Sequence, residues 1–498
     1  MKDLSEFNSW HSDWRKLRVG VIGLGVTGFS VADTLAELGA TQLVVAQSAL
    51  PEQLDILDVL GVPYLVGPEA APKDLASIPK QLLELEPDVL VTSPGVRPDS
   101  PLIEWAENQG IPVWVDIDLA WRLRDKTDSV AEWLCVTGTN GKTTTTQLVE
   151  AMLHHGGLRA MACGNIGTPI LDAMREPEGL DAVVVELSSF QLHYLGPIYP
   201  HSSVVLNVAD DHLDWHGSFE KYAATKGKVY QNVLNACVYN VADQKTERLV
   251  EAADVQEGAR AIGFTLGAPG RSMVGYVEDI LVDRAFLEDR SMAIPVAELS
   301  DIAQIGVITP HLLANVAAAT ALARSMDVNP LAIKAALLDF KLDNHRIQLV
   351  AESEGVSWYD DSKATNPHAA AASLASFESV IWVVGGLLKG VDITSLIERN
   401  AKKLKAVVVI GLDRQPVLDA LQAAAPGVAV YSVDQPENGL VMTDAVALAG
   451  AAAKAGDTVL LAPAAASMDQ FKDYADRGNQ FAAAARAWLE NQKTPGEN

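Results

Sequence analysis

The run Gly138-Thr139-Asn140-Gly141-Lys142-Thr143-Thr144 lies between an apolar stretch, Trp133-Leu134-Cys135-Val136-Thr137, and a helix-period segment from Thr145 to Leu153. That setting suits a phosphate-binding loop. Glycines let backbone N–H groups converge on phosphate oxygens, and the helix N-terminus adds partial positive charge. Lys142 then reaches the terminal phosphates and Thr143 can ligate Mg²⁺. A strict GxxxxGK[ST] pattern would have glycine at Val136, so the strand-loop-helix context carries this reading. Two further apolar runs end in chemically loaded residues: Ala182 to Val185 leads into Glu186-Leu187-Ser188-Ser189, and Val204 to Val208 into Asp210-Asp211-His212-Leu213-Asp214. Ligands of parallel sheets collect at the C-terminal edges of the strands, which puts a carboxylate and an imidazole beside the loop. Such a set could hold Mg²⁺, although Mg²⁺ prefers oxygen and a histidine ligand is unusual.

A second glycine turn, Gly23-Leu24-Gly25-Val26-Thr27-Gly28, matches GxGxxG. A nicotinamide site wants an acid at the end of the next strand, about 20 residues on, to hold the ribose hydroxyls. Here Leu43-Val44-Val45-Ala46 runs into Gln47-Ser48. The turn therefore suits another diphosphate, such as that of a nucleotide sugar, or close packing of strand and helix.

The elements that must position these residues alternate from end to end, short β-rich runs with Ala/Leu-rich helical stretches, so the fold class is α/β with parallel sheets. With 498 residues, about 150 per domain gives roughly three domains. The charged stretch from Arg122 to Glu132 and the polar link Lys341-Leu342-Asp343-Asn344 divide the chain into 1–127, 128–341 and 342–498. Residues 264–304, rich in Gly, Asp and Arg with little helical period, read as a hairpin or irregular insertion at the periphery. Helices are expected over Asn315 to Ser325 and Pro330 to Leu338, and residues 493–498 should fray.

Composition excludes several classes. With 38 Lys+Arg against 64 Asp+Glu the formal charge is −26, so no basic field exists for a nucleic acid. Cys135, Cys163 and Cys237 are odd in number and far apart, which suits a reducing compartment and no metal cluster. No run approaches the roughly 18 to 20 apolar residues of a membrane span, so no membrane insertion and a cytoplasmic location are expected.

Taken together, Thr137 to Thr144, Glu186-Leu187-Ser188-Ser189-Phe190-Gln191, Asn207 to Asp214, Asp361-Ser362-Lys363-Ala364-Thr365-Asn366 and Ser467-Met468-Asp469-Gln470-Phe471 resemble the Mur ligase family. The match spans all three blocks. It is strengthened by Ser93-Pro94-Gly95, Gly164-Asn165-Ile166-Gly167 and Asp469 to Gly478. The resemblance implies a Rossmann-like N-terminal domain, a central P-loop ATPase-type parallel sheet and a Rossmann-like C-terminal domain. It also implies ATP-dependent amide formation through an acyl phosphate, joining D-glutamate to UDP-N-acetylmuramoyl-L-alanine for peptidoglycan precursor synthesis. Two Mg²⁺ ions and a monomer are expected.

By that resemblance Gly138, Thr139, Asn140, Gly141, Lys142, Thr143 and Thr144 hold the phosphates, and Asn315, Arg346 and Asp361 contact the rest of the nucleotide. Thr143 and Glu186 bind one metal ion and His212 the other. Lys226 aligns with a carbamylated lysine, whose CO₂ adduct turns a cation into a carboxylate. Read without the family, Lys226 is an exposed helix lysine, Asn315 a helix residue and Arg346 a linker charge. Lys142, Glu186, His212, Lys226 and Lys363 form the catalytic set. Thr365, Lys389, Ser467 and Tyr474 fall where D-glutamate is held; Val26, Thr27, Asn165 and Ser188 belong to the UDP-substrate. Four positions depart from the family pattern: Thr309-Pro310-His311-Leu312 stands for Gly-x-His-Asn, Gln47 for an acid, Leu387-Leu388 for a polar pair, and Tyr474 for phenylalanine. The rivals are another amino-acid ligase of the family, a nicotinamide-binding redox or sensor protein, and a nucleotide-binding scaffold without activity. The linker at Lys341 to Asp343 is the expected hinge.

Overall fold

The computed structural model of the protein describes residues 3–287, 289, 291–434 and 438–492. The fraying expected at 493–498 lies outside them. The chain forms two compact units, Met1–Glu298 with Asn315–Ala336, and Leu299–Ala314 with Leu337–Asn498.

The first unit carries two sheets. Strands β1 (Arg18–Ile22), β2 (Thr41–Ala46), β3 (Tyr64–Val66), β4 (Val89–Thr92) and β5 (Val113–Trp114) make a parallel sheet in the order β3-β2-β1-β4-β5. The helix Val26–Glu37 follows β1 directly and begins four residues before the helix-period stretch at Ser30. Strands β6 (Glu132–Thr137), β7 (Ala160–Gly164), β8 (Ala182–Glu186), β9 (Ser202–Val205), β10 (Ala236–Asn240), β11 (Arg260–Phe264), β12 (Met273–Val277), β13 (Ile280–Asp283) and β14 (Ile294–Glu298) make the second sheet. Its order is β14-β13-β12-β11-β10-β9-β6-β8-β7. The strands β6 to β11 are parallel. The apolar, β-branched run of β8 is buried throughout, as a strand covered on both faces requires. The peripheral stretch becomes the antiparallel meander β12-β13-β14 at one edge.

That meander is anchored by a buried ion pair. Arg324 Nε donates to Asp283 Oδ2 at 2.8 Å, and the Asp283 carboxylate also accepts from the backbone N–H groups of Ala285 and Phe286. Removing the cation would leave a fully buried carboxylate without its ionic partner. Arg324→Leu is therefore expected to destabilise the first unit by about 3–5 kcal/mol, seen as a lower urea midpoint.

One hydrophobic core continues from the first sheet into the second, through Val19, Val91, Trp114, Trp133, Val183 and Val205. Polar contacts cross the same boundary: Ser30 donates to Asp172 at 2.7 Å, and Gln191 Nε2 to both carboxylate oxygens of Asp116 at 3.3 Å.

The second unit holds β15 (Gln348–Ser353), β16 (Val356–Asp360), β17 (Val380–Gly385), β18 (Leu404–Ile410), β19 (Ala429–Ser432) and β20 (Thr458–Leu461), in the order β15-β16-β20-β17-β18-β19. Among the described residues of this sheet, only the β15–β16 pair is antiparallel.

Two local expectations shift. The strand read over Val204 to Val208 stops at Val205 because the following backbone is diverted to other partners. Asn207 O accepts from Thr139 N at 3.0 Å, and Val208 N donates to Asp243 at 2.8 Å. The helix read from Asn315 begins at Pro310, a residue suited to the first helical turn.

Candidate active site

Topology puts β6 between β8 and β9, so the loop leaving β6 is flanked by the ends of both neighbours. Val136 is level with Glu186 on one side, and Thr137 with Val205 on the other. The loop Gly138 to Gly141 then turns into the helix Lys142–His155, whose first turn buries Thr143 and Thr144. Asn207, just past β9, clasps the loop: its Oδ1 accepts from Asn140 N at 2.9 Å and its Nδ2 donates to Asn140 O at 3.0 Å. Thr139 Oγ1 lies 2.9 Å from Tyr222 Oη and accepts from Ala209 N at 3.0 Å.

Gly141 adopts a left-handed φ of 85°, and a Cβ there would lie 2.3 Å from Asn315 Oδ1. The structure thus brings Asn315 onto the loop. Gly141→Ala should displace Asn315 and strain the turn, and a loss of ATP-analogue affinity of at least about tenfold by titration calorimetry is expected.

Lys142 Nζ donates to the carbonyls of Gly138 and Thr139, each at 2.9 Å. Lys226, on the helix Phe219–Gly227, is only 1% exposed, which corrects its reading as an exposed helix lysine. Its Nζ donates to the same Gly138 carbonyl at 2.9 Å and sits 4.7 Å from the Tyr222 ring centroid. Burial, and next the charge of Lys142, hold its amine well below the ordinary lysine range, against the pull of Asp211 and Glu186.

Glu186 ends β8 and is buried. One carboxylate oxygen accepts from Asn165 Nδ2 at 2.8 Å; the other, Oε2, is buried and has no hydrogen-bond partner. A buried carboxylate oxygen left in this way costs free energy unless a cation or a donor meets it. Together with the Thr143 hydroxyl it offers the oxygen donors Mg²⁺ prefers, so the residues fit that ion. Among the described residues no group of three or more His, Cys, Asp or Glu side chains is arranged as a metal cluster. Ser188 caps the helix Ser189–Tyr194, its hydroxyl accepting from Gln191 N at 3.2 Å. His212 takes a left-handed φ of 52°, with Nε2 3.6 Å from Asp211 Oδ2 and its ring 4.7 Å from that of Phe190.

Also in the first unit, a cavity of about 500 Å³ opens over the Gly23 to Gly25 turn, walled by Gln47, Ser48, Ser93, Val96 and Arg97. Val26 and Thr27 head the helix after that turn and are not among the cavity-lining residues; Val26 is 70% exposed.

In the second unit Asp361 is buried. Its carboxylate accepts from Ser373 Oγ and from Ile347 N, the latter at 3.3 Å. Burial pushes its acid up to about 6, partly offset by Ser373 and by the Arg346 charge. Arg346 stands between His345 and Ile347, both with positive φ. Lys363 Nζ lies 5.0 Å from the Tyr474 ring centroid, and Thr365 N donates to Lys363 O at 2.8 Å. Ser467 is buried, its carbonyl accepting from Phe471 N at 2.9 Å. Lys389, at φ 54°, lines a cavity of about 470 Å³ with Leu387, Asp392 and Asp413.

Two supports of this set have no assigned role in the sequence reading. Arg477, fully buried, donates Nε to Ser362 Oγ at 2.9 Å, Nη2 to Ser362 O at 2.8 Å and Nη1 to Ala465 O at 3.1 Å. His345 Nδ1 is 2.6 Å from Asp360 Oδ2. A buried arginine 115 positions from its partner carries no local spacing signal.

Comparison with known proteins finds relatives along nearly the whole chain. Residues 17–115 match the Mur ligase MurD-like N-terminal domain, 136–323 the Mur ligase middle domain, and 345–465 the Mur ligase glutamate ligase domain. The chain is 55% identical to a UDP-N-acetylmuramoylalanine--D-glutamate ligase of Leifsonia xyli subsp. xyli, with 98% of this chain and 95% of that protein covered. It is 48% identical to a protein of that name from Streptomyces avermitilis, covering 95% and 99%. Among solved structures, UDP-N-acetylmuramate-alanine ligase MurC from Thermotoga maritima matches with a TM-score of 0.54 at 18% identity, covering 95% of this chain and 100% of that one. A pseudomurein peptide ligase type C from Methanothermus fervidus gives 0.56 at 16%, covering 96% and 100%, and these two likenesses speak for the fold. On three domain matches and full-length relatives of this identity, the chain belongs to the Mur ligase family.

Proposed function

We propose that this protein is an ATP-dependent ligase that joins D-glutamate to UDP-N-acetylmuramoyl-L-alanine, with ADP and phosphate as by-products, in peptidoglycan precursor synthesis. Within the structure, the observation that carries the reading is the phosphate loop with Lys142 set beside the buried Glu186 carboxylate, whose Oε2 has no partner. The name shared by relatives at 42–55% identity specifies the amino acid.

In this reaction the terminal carboxylate of the UDP-substrate attacks the γ-phosphorus of ATP, and the bond to the bridging oxygen breaks, releasing ADP. The amine of D-glutamate then attacks the acyl-phosphate carbon, phosphate leaves, and the amine gives up a proton. Carboxylate oxygen is a poor leaving group, and phosphorylation supplies a good one. Lys142 and the amides of the Gly138 to Gly141 loop stabilise charge on the transferred phosphoryl group. Bound Mg²⁺, held by Thr143 and Glu186 with a second ion at His212, supplies further neutralisation there. Asn165 keeps Glu186 turned toward the loop, and Ser188 faces the UDP-substrate. Asn315, Arg346 and Asp361 take the remainder of the nucleotide, while Lys363, Thr365, Lys389, Ser467 and Tyr474 take D-glutamate. The cavity over the Gly23 turn takes the uridine end, Val26 and Thr27 its phosphates, with the Gln47 amide able both to donate to and to accept from a uracil edge. A carbamate on Lys226, a monomeric state, a cytoplasmic location and domain limits at 127/128 and 341/342 complete the proposal. Among the described residues no helix is long and apolar enough to cross a membrane.

Purified protein with ATP, Mg²⁺ and UDP-N-acetylmuramoyl-L-alanine should release phosphate and form an amide with D-glutamate, and not with L-glutamate, L-alanine or diaminopimelate. Turnover with another amino acid would keep the mechanism and overturn the specificity. Absence of turnover with all four would overturn the reading.

A further inference from the structure

The uridine cavity and the phosphate-loop site are joined within the first unit by one short loop. Ser93, Gly95, Val96, Arg97 and Ser100 form one wall of the cavity. The outer side of that wall reaches two other segments. Val96 O accepts a 2.9 Å hydrogen bond from Tyr194 Oη, at the end of the helix that starts three residues after Glu186. Arg97 Nη1 donates at 3.2 Å to the carbonyl of Asp214, two residues beyond His212. Arg97 is the one charged side chain among the cavity's lining residues, and its other donors meet Asp99 at 2.8 and 3.0 Å.

The two segments so reached are also fastened to each other. His216 Nε2 lies 3.0 Å from Ser189 Oγ in a buried contact. The Phe190 ring packs against His212 and Trp215 at 4.7 and 4.8 Å, and Trp215 against the Tyr194 ring at 6.3 Å. The Glu186 helix and the His212 segment therefore form one packed piece, and the cavity wall meets that piece at two points. The proposed chemistry gives neither Tyr194 nor Arg97 a part in holding the ATP phosphates, and it leaves the Tyr194–Val96 and Arg97–Asp214 bonds without a use.

We infer that Tyr194 and Arg97 are positioning residues that couple occupancy of the uridine cavity to the placement of Glu186 and His212. The inference rests on the functional reading above. A ligand that fits one placement of the Gly95 to Arg97 wall better than another biases the joined segment, and a nucleotide bound at the phosphate loop biases the wall in return. Linkage requires the two effects to be equal.

The test is binding by calorimetry, without turnover: UDP-N-acetylmuramoyl-L-alanine with and without saturating β,γ-methylene-ATP and Mg²⁺, and the reverse titration. In the wild type each ligand should tighten the other about tenfold, within the usual range of such coupling. Tyr194→Phe removes one hydroxyl and keeps the ring, and Arg97→Ala removes the other contact together with the Asp99 pair and one cavity-lining side chain. Each should cut the coupling to about threefold, and the double variant should abolish it. Because coupling is a ratio, a change in affinity for either ligand alone cancels, and an unchanged Tm for Tyr194→Phe excludes a merely structural effect. Full coupling in the double variant, or wild-type binding of both ligands without coupling, overturns the inference and leaves the function standing. Wild-type protein that binds neither ligand overturns the function and the inference together.

Discussion

Lys142→Ala is expected to lower kcat by about a hundred- to a thousandfold, the cost of removing one donor aimed at charge that develops in a transition state. The fold should survive, because Lys142 Nζ donates to the Gly138 and Thr139 carbonyls of its own loop, while Asn207 and Tyr222 hold that loop independently. The UDP-substrate should bind the variant with an unchanged Kd, since the cavity proposed for it lies over the Gly23 turn. Single-turnover phosphate release on rapid mixing, beside calorimetry of the UDP-substrate, checks both parts. A variant with kcat within about threefold of wild type would show that Lys142 does not carry transferred charge. Lys142→Arg should not restore the rate, because a planar fork cannot replace a compact ammonium where two carbonyls and a phosphate must be met in turn.

Replacing Lys226 should have an effect of similar size by another route. Burial and the neighbouring Lys142 charge lower the pKa of a lysine 1% exposed and so favour its neutral amine, the form that adds to CO₂. Addition forms an N–C bond and releases one proton, leaving a carboxylate where a cation would be repelled by Lys142. Lys226→Gln and Lys226→Arg should each lose about a hundredfold in kcat, since neither can form the carbamate. Protein equilibrated with ¹³C-bicarbonate should show a carbamate carbon resonance that is missing in Lys226→Gln, and rigorous removal of CO₂ should lower kcat reversibly. Unchanged activity in Lys226→Gln would refute the assignment. The unmodified protein carries its own signature. The folded amine titrates below the ordinary 10.5, so the unfolded chain binds the extra proton between the two values and stability rises with pH across that window. Lys226→Met should flatten this slope in CO₂-free buffer.

Much of the machinery could be read from the chain because it is local. The phosphate loop needs glycines, a lysine and a hydroxyl within seven consecutive residues, and the strand before it and helix after it are set by short-range pattern. The α/β class is legible for the same reason: buried parallel strands demand continuous apolar runs, and Val183 to Val185 or Val407 to Val409 supply them. Glu186 and His212 could be named as strand-end residues, and full-length relatives fixed the family.

What lay beyond the sequence depended on strand order and burial. Nothing in the spacing of Glu186 and Asn207 says that β8 and β9 flank β6, yet that order puts both residues at the phosphate loop. Lys226 reads as an ordinary helix lysine, and its pKa falls well below the ordinary lysine range because the fold buries it beside Lys142. Asn315 meets Gly141 across 174 positions, Arg477 supports Ser362 across 115, and Tyr194 reaches Val96 across 98. The sequence by itself determined which groups can do chemistry and which local elements carry them, because short-range sterics and hydrophobic period act over a few residues. Tertiary structure alone decided which of those groups meet, which lose their water and so shift their pKa, and which bonds tie one site to another, because desolvation and contact depend on neighbours that the chain brings together only on folding.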